Sequence, residues 1–217
     1  MLIDLSKIKE LEEEYKRRNG VLKADGIVNI NEYTSAETKK KILWVLKEAN
    51  WDNKSDVNMI DFFQNVTVYP KWKRTYKLII QVSWSILNGY VPYKDIPKLS
   101  IIKNVIDKIA MININKVGGY NKSYWKSISE SYLKNKDILL NQVDAINPDL
   151  IINCSGVYNF YNDIIIEKYE KENGSFFTCG KTKNGIIINS YHTNQRKIKH
   201  KNFYDSIIVY CNKYLKD

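Results

Sequence analysis

Four short apolar runs constrain this chain more than any other feature. They are Lys41-Ile42-Leu43-Trp44-Val45-Leu46, Ile109-Ala110-Met111-Ile112-Asn113-Ile114-Asn115, Asp149-Leu150-Ile151-Ile152-Asn153-Cys154, and the stretch from Gly185 to Tyr191. A strand with one wet face alternates apolar and polar residues, whereas a strand covered on both faces reads as a continuous apolar run. Helix-length segments separate the runs. Leu5, Ile8, Leu11 and Tyr15 recur at helical spacing before Gly20, and a helix over residues 72–88 closes at Gly89. Further helices are predicted over 123–146, ended by Asn147-Pro148, over 158–172, and over 202–215. Residues 175–178 are positioned to form a hairpin with the fourth run. Strands alternating with helices predict a three-layer α/β/α fold with a central, mostly parallel four-stranded sheet. Residues 1–217 read as a single domain, with 1–40 an N-terminal helical extension.

Composition narrows the class. The 217 residues are 44% hydrophobic and 12% aromatic, an ordinary globular balance. No apolar run approaches the roughly 20 residues of a membrane span, and the charged start of the chain lacks a signal-peptide layout. Cys154, Cys179 and Cys211 are odd in number, scattered and without CxxC spacing. That pattern predicts no disulfide framework, zinc knuckle or iron–sulfur site and fits a cytoplasmic protein, and no metal or cofactor is expected. A net charge of +10 favours a polyanionic partner, because each neutralised phosphate releases condensed counterions. A Lys-, Asn-, Ile- and Tyr-rich chain also acquires such a surplus from base composition alone.

Ligands of open α/β sheets bind outside the carboxyl ends of the strands. After the first run come Glu48, Asn50 and Asp52; the second carries Asn113 and Asn115; Asn153 and Ser155 follow the third; His192, Asn194 and Arg196 follow the fourth. A carboxylate, an amide and a histidine on one edge suit activation of water, reading of a base edge and stabilisation of a developing anion. Asn50, Asp52 and Ser155 serve equally well as helix caps. Asn113, inside an apolar run, needs a partner or costs about 1–3 kcal/mol.

At these residues the chain resembles the uracil-DNA glycosylase superfamily. Lys47-Glu48-Ala49-Asn50-Trp51 stands where the family carries Gly-Glu-Ala-Pro-Gly or Gly-Gln-Asp-Pro-Tyr-His, matching at Glu and Ala without the Gly and Pro. Ile112-Asn113-Ile114-Asn115-Lys116 is similar to the strand-ending Thr-Asn-Val-Val-Lys, and His192-Thr193-Asn194-Gln195-Arg196 preserves the His of His-Pro-Ser. The resemblance implies a DNA glycosylase that flips a base and hydrolyses its N-glycosidic bond, with Glu48 and His192 catalytic. It implies a base pocket formed by Asn113, Phe62 or Phe63, Trp51 and Asn50. Asn194, Gln195, Arg196, Lys197 and Lys199 would face DNA, single- or double-stranded. A monomer needing no metal is expected. A binding module without chemistry and a hydrolase of free nucleosides or nucleotides are the competing readings.

Overall fold

The computed structural model describes residues 3–49, 51–52, 54–65, 73–119 and 124–215. In chain order the helices are α1 (Leu5–Asn19), α2 (Ile30–Thr34), α3 (Met59–Gln64), α4 (Lys73–Leu87), α5 (Leu99–Ile102), α6 (Trp125–Ile146), α7 (Tyr158–Ile164) and α8 (His200–Tyr214). The strands are β1 (Lys23–Ala24), β2 (Gly26–Ile27), β3 (Ile42–Glu48), β4 (Val57–Asn58), β5 (Ile109–Asn115), β6 (Leu150–Asn153), β7 (Glu167–Lys168), β8 (Thr178–Lys181) and β9 (Ile186–Asn189).

The fold is mixed α/β. Among the described residues its main sheet has seven strands in the order β2-β5-β3-β6-β9-β8-β7, and β1 pairs with β4 in a separate ribbon. The four apolar runs are the parallel interior strands, β5-β3-β6-β9. The four-stranded expectation is corrected by the antiparallel edges, β2 beside β5 on one flank and β8 and β7 beyond β9 on the other. β2 and β7 span two residues each, too short for an apolar pattern to develop, while β8 (Thr178–Lys181) forms the hairpin with β9 that the sequence predicts at 175–178.

Both sheet faces are covered. Trp44, Met111, Ile152 and Ile188 pack with Leu78, Ile79 and Val82 of α4 and Phe203 and Ile207 of α8. The alternate residues Val45, Ile112, Ile151 and Ile187 pack with Tyr132, Leu139 and Val143 of α6 and Phe160 of α7. Trp44 is fully buried, and its indole N–H donates to Ser83 Oγ at 2.9 Å. Burying an indole requires such a partner.

The N-terminal segment is more than a helical extension. α1 ends as the sequence predicts, with Gly20 in the left-handed region at φ 79°. It packs on α6 through Leu11, Tyr15 and Ile138, and the chain then supplies β1 and the edge strand β2. The helix expected over 158–172 ends instead at Ile164. Ile164-Ile165-Ile166 is a β-branched run, which prefers an extended chain, and Glu167–Lys168 pairs with β8 as the sheet's edge.

Candidate functional site at the carboxyl edge of the sheet

The connection after β3 leads to β5 on one side, and the chain then crosses to β6 on the other. The carboxyl ends of β3 and β6 therefore flank a topological switch point, where open sheets place their ligands. Register deepens this crevice. Val45 pairs with Asn153, and Asn153 with Asn189, after which β6 stops while β3 continues to Glu48 against Asn115 of β5. Lys47, Ser155 and Tyr191 each stand two residues beyond that shared row. Glu48 and His192 stand three beyond it.

Glu48 is held from the β5 side. Asn115 donates its amide to Glu48 Oε2 at 3.1 Å and to the Gly118 carbonyl at 3.3 Å. The loop after β5 lies hard against the loop after β3. A Cβ on Gly118, whose φ is +104°, would meet the carbonyls of Trp51 and Asp52 at 2.8 and 2.9 Å. A Cβ on Gly119 would fall 2.1 Å from the Glu48 carboxyl carbon. Glycine lets the backbone approach this closely. In the sequence the Gly118-Gly119 pair reads only as a break, and its second meaning depends on a carboxylate 71 positions upstream.

This contact makes a prediction. Gly119→Ala displaces the far end of a flexible side chain rather than backbone, so folding should survive while the Glu48 carboxylate moves. Any activity depending on Glu48 should fall roughly tenfold to a hundredfold, since small misplacements of a catalytic group cost on that order. Turnover and thermal unfolding measured side by side check this, and unchanged turnover would show that Glu48 needs no fixed position.

His192 is half-buried and uncharged. Burial, aided by the positive charge of Lys47, pushes its pKa down to about 4. The Asn194 backbone N–H donates to Nδ1 at 3.1 Å, which leaves the ring proton on Nε2. The imidazole is therefore a neutral hydrogen-bond donor throughout the physiological range. Its stabilising contribution is complete above the unfolded value near 6.5 and is lost as pH falls toward about 4. Relative to His192→Gln, the protein should lose about 1–3 kcal/mol more between pH 7 and pH 4. Denaturant titrations at several pH values check the sign.

The aromatic expectations divide. Trp51 is exposed and meets Phe62 edge-on, with ring centroids 6.1 Å apart. Phe62 in turn packs with Tyr76 at 6.0 Å. Phe63 is a correction: at 1% exposure it is part of the core and presents no face to a ligand, because α3 turns it toward the sheet. Asn50 lies outside the described residues.

Asn113 is placed at the site's floor and is already engaged. Its backbone N–H and its side-chain amide both donate to Asp25 Oδ2, at 2.7 and 3.1 Å. Asp25 is also paired with the buried Lys116 ammonium, and Gln142 reaches its carbonyl at 3.2 Å. The nearby Glu12 carboxyl is pushed up to about 7, first by burial and then by Asp25. Neither Asp25 nor its link to Lys116 is visible locally, since the two are 91 positions apart.

The loop after His192 is held by its own side chains. Gln195 accepts from the Ile198 N–H at 2.9 Å and donates to the Ile198 carbonyl at 3.0 Å, so it staples the loop instead of facing outward. Asn194, Arg196, Lys197 and Lys199 are exposed. The three cations have no carboxylate partner among the described residues. A cavity of about 580 Å³ lies near the amino ends of the strands, lined by Glu32, Trp84, Asp107 and Lys108 among others. Among the described residues, no three His, Cys, Asp or Glu side chains gather as a metal would require, and no helix is long and apolar enough to cross a membrane.

The structure thus defines a mixed α/β protein with polar residues gathered at the switch point of its sheet, where open sheets bind their ligands. No protein-family model and no curated protein matches this chain.

Proposed function

We propose that the protein is a cytoplasmic DNA glycosylase, hydrolysing the N-glycosidic bond of uracil or another modified base in DNA. The observation that carries this reading is the pairing, on one sheet edge, of a positioned carboxylate with a neutral histidine donor. Glu48 has one oxygen held by Asn115 and uses its carboxylate to orient water toward the anomeric carbon of the sugar. Water's oxygen forms the new bond to that carbon as the bond to the base nitrogen breaks. The electron pair leaves with the base, and water's proton passes to Glu48. His192 donates its Nε2 proton in a hydrogen bond to the base oxygen where that charge collects. A neutral donor suits this role, because it stabilises the anion without giving up its proton.

Trp51 and Phe62 form the wall on which the extruded base stacks, and extrusion costs a few kcal/mol. Arg196, Lys197 and Lys199 hold backbone phosphates and offset part of that cost. A second reading, a nucleic-acid-binding module without turnover, is favoured by one observation. The Asn113 amide nitrogen that would donate to a base is bound to Asp25.

The deciding experiment uses labelled oligonucleotides carrying uracil, hypoxanthine, thymine opposite guanine or hydroxymethylated cytosine, each single-stranded and duplex. Alkali then cleaves abasic sites. Scission that disappears in Glu48→Gln supports the glycosylase. Salt-sensitive binding without scission on any substrate supports the module.

A further inference from the structure

The exposed aromatic side chains among the described residues are Trp51, Tyr124, Trp125, Tyr158, Phe176 and Tyr191. Every one stands at the carboxyl edge of the parallel strands. Trp51 follows β3, Tyr124 and Trp125 open α6 after β5, Tyr158 opens α7 after β6, and Tyr191 follows β9. Phe176 precedes β8, whose first residue, Thr178, pairs antiparallel with Asn189, so Phe176 emerges at the same edge. The remaining exposed large apolar side chains, Leu5, Ile101, Leu133 and Ile166, are aliphatic and scattered over other elements. Single exposed aliphatics are normal. Rings confined to one edge are not a product of scatter.

The rings are accompanied by cations and are held in place. Lys197 Nζ lies 5.1 Å from the centre of the Tyr191 ring, and Arg196, Lys197 and Lys199 are free of carboxylates among the described residues. A Cβ on Gly156 would come within 3.1 Å of the Trp125 ring, so glycine there allows the indole to lie against the loop after β6. Tyr191 is set edge-on to the buried Phe177 at 5.6 Å. Paired bases in a duplex offer only their edges, since their faces are stacked on one another. Unpaired bases offer their faces, and aromatic side chains interleaved with cations are the surface that takes them.

We infer that this edge binds an unpaired DNA strand, stacking bases flanking the target on Trp125, Tyr158 and Tyr191 while Arg196, Lys197 and Lys199 neutralise its phosphates. The inference rests on the DNA reading and specifies its substrate as single-stranded.

The test uses full-length Glu48→Gln protein and a fluorescein-labelled oligonucleotide of about 15 nucleotides with no modified base. Anisotropy is measured for the single strand and for its duplex at near-physiological salt. The single strand is expected to bind about tenfold or more tightly than the duplex. Trp125→Ala and Tyr158→Ala, both at exposed rings, should each weaken single-strand binding about tenfold, with Trp125→Phe close to the parent. Equal or tighter duplex binding, or alanine variants with undiminished single-strand binding, overturns the inference. Binding of neither form also overturns it, in favour of a protein-docking face. Excision without strand selectivity sinks this inference and leaves the glycosylase standing; strand-selective binding without excision does the reverse.

Discussion

Glu48→Gln is expected to slow base excision about a thousandfold while leaving the fold intact. Positioned proton transfer contributes about 10²–10⁴ in rate, and glutamine keeps the shape of the side chain but cannot accept water's proton. Asn115 donates to Glu48 Oε2, and a glutamine oxygen can still accept that bond, so the local structure should survive. His192→Ala should cost about 10²–10³, the usual worth of one hydrogen-bond donor to a developing anion. Both losses should fall on kcat, since neither group is asked to bind the ground state more tightly. The pH profile adds a signature. With His192 pushed down to about 4, the acid limb of activity should show no inflection near 6.5. Excision by both variants at the parent rate, measured by single-turnover scission, would leave the carboxylate and histidine without a chemical role.

The largest expected effect on stability is at the Asp25–Lys116 pair. Asp25 is 1% and Lys116 2% exposed, and Asp25 also receives the Asn113 N–H. Lys116→Met leaves a buried carboxylate without its counter-charge, and Asp25→Asn leaves a buried ammonium without one. Removing one partner of a buried pair costs about 3–5 kcal/mol, against a total stability of about 5–15 kcal/mol for a typical domain. The double replacement Asp25→Asn with Lys116→Met should recover part of the loss, because no lone charge remains. Urea denaturation of the four proteins gives the coupling directly. Lys116 also follows Asn115, which holds Glu48, so this pair anchors the floor of the site as well as the edge strand. Single variants as stable as the parent would show that the pair is not closed in solution.

How much was legible in the sequence differs between the interior of the sheet and its surroundings. The four parallel strands were readable because each is covered on both faces and must be apolar throughout. The end of α1 was readable because Gly20 takes a left-handed conformation that other residues resist. Glu48 and His192 could be nominated because a strand's carboxyl end is where an open sheet meets its ligand. These are local signals, carried by a few neighbouring residues.

Tertiary structure decided the rest. β2 and β7 pair through backbone groups over two residues each, which leaves almost no side-chain pattern, whereas the hairpin of β8 with β9 was readable and only its bounds shifted, from 175–178 to 178–181. Phe62 and Phe63 are adjacent and alike in sequence, yet the helix they share directs Phe63 into the core and leaves Phe62 beside Trp51. Asn113 is apolar-flanked in any reading, but only the fold brings Asp25 to it from 88 positions away. The ring of exposed aromatics is likewise invisible along the chain, since its members come from five separate connections that the sheet gathers at one edge. Sequence determines which residues must be buried and where strands end. Which polar groups then meet is set by strand order and register, and no short stretch of chain contains that information.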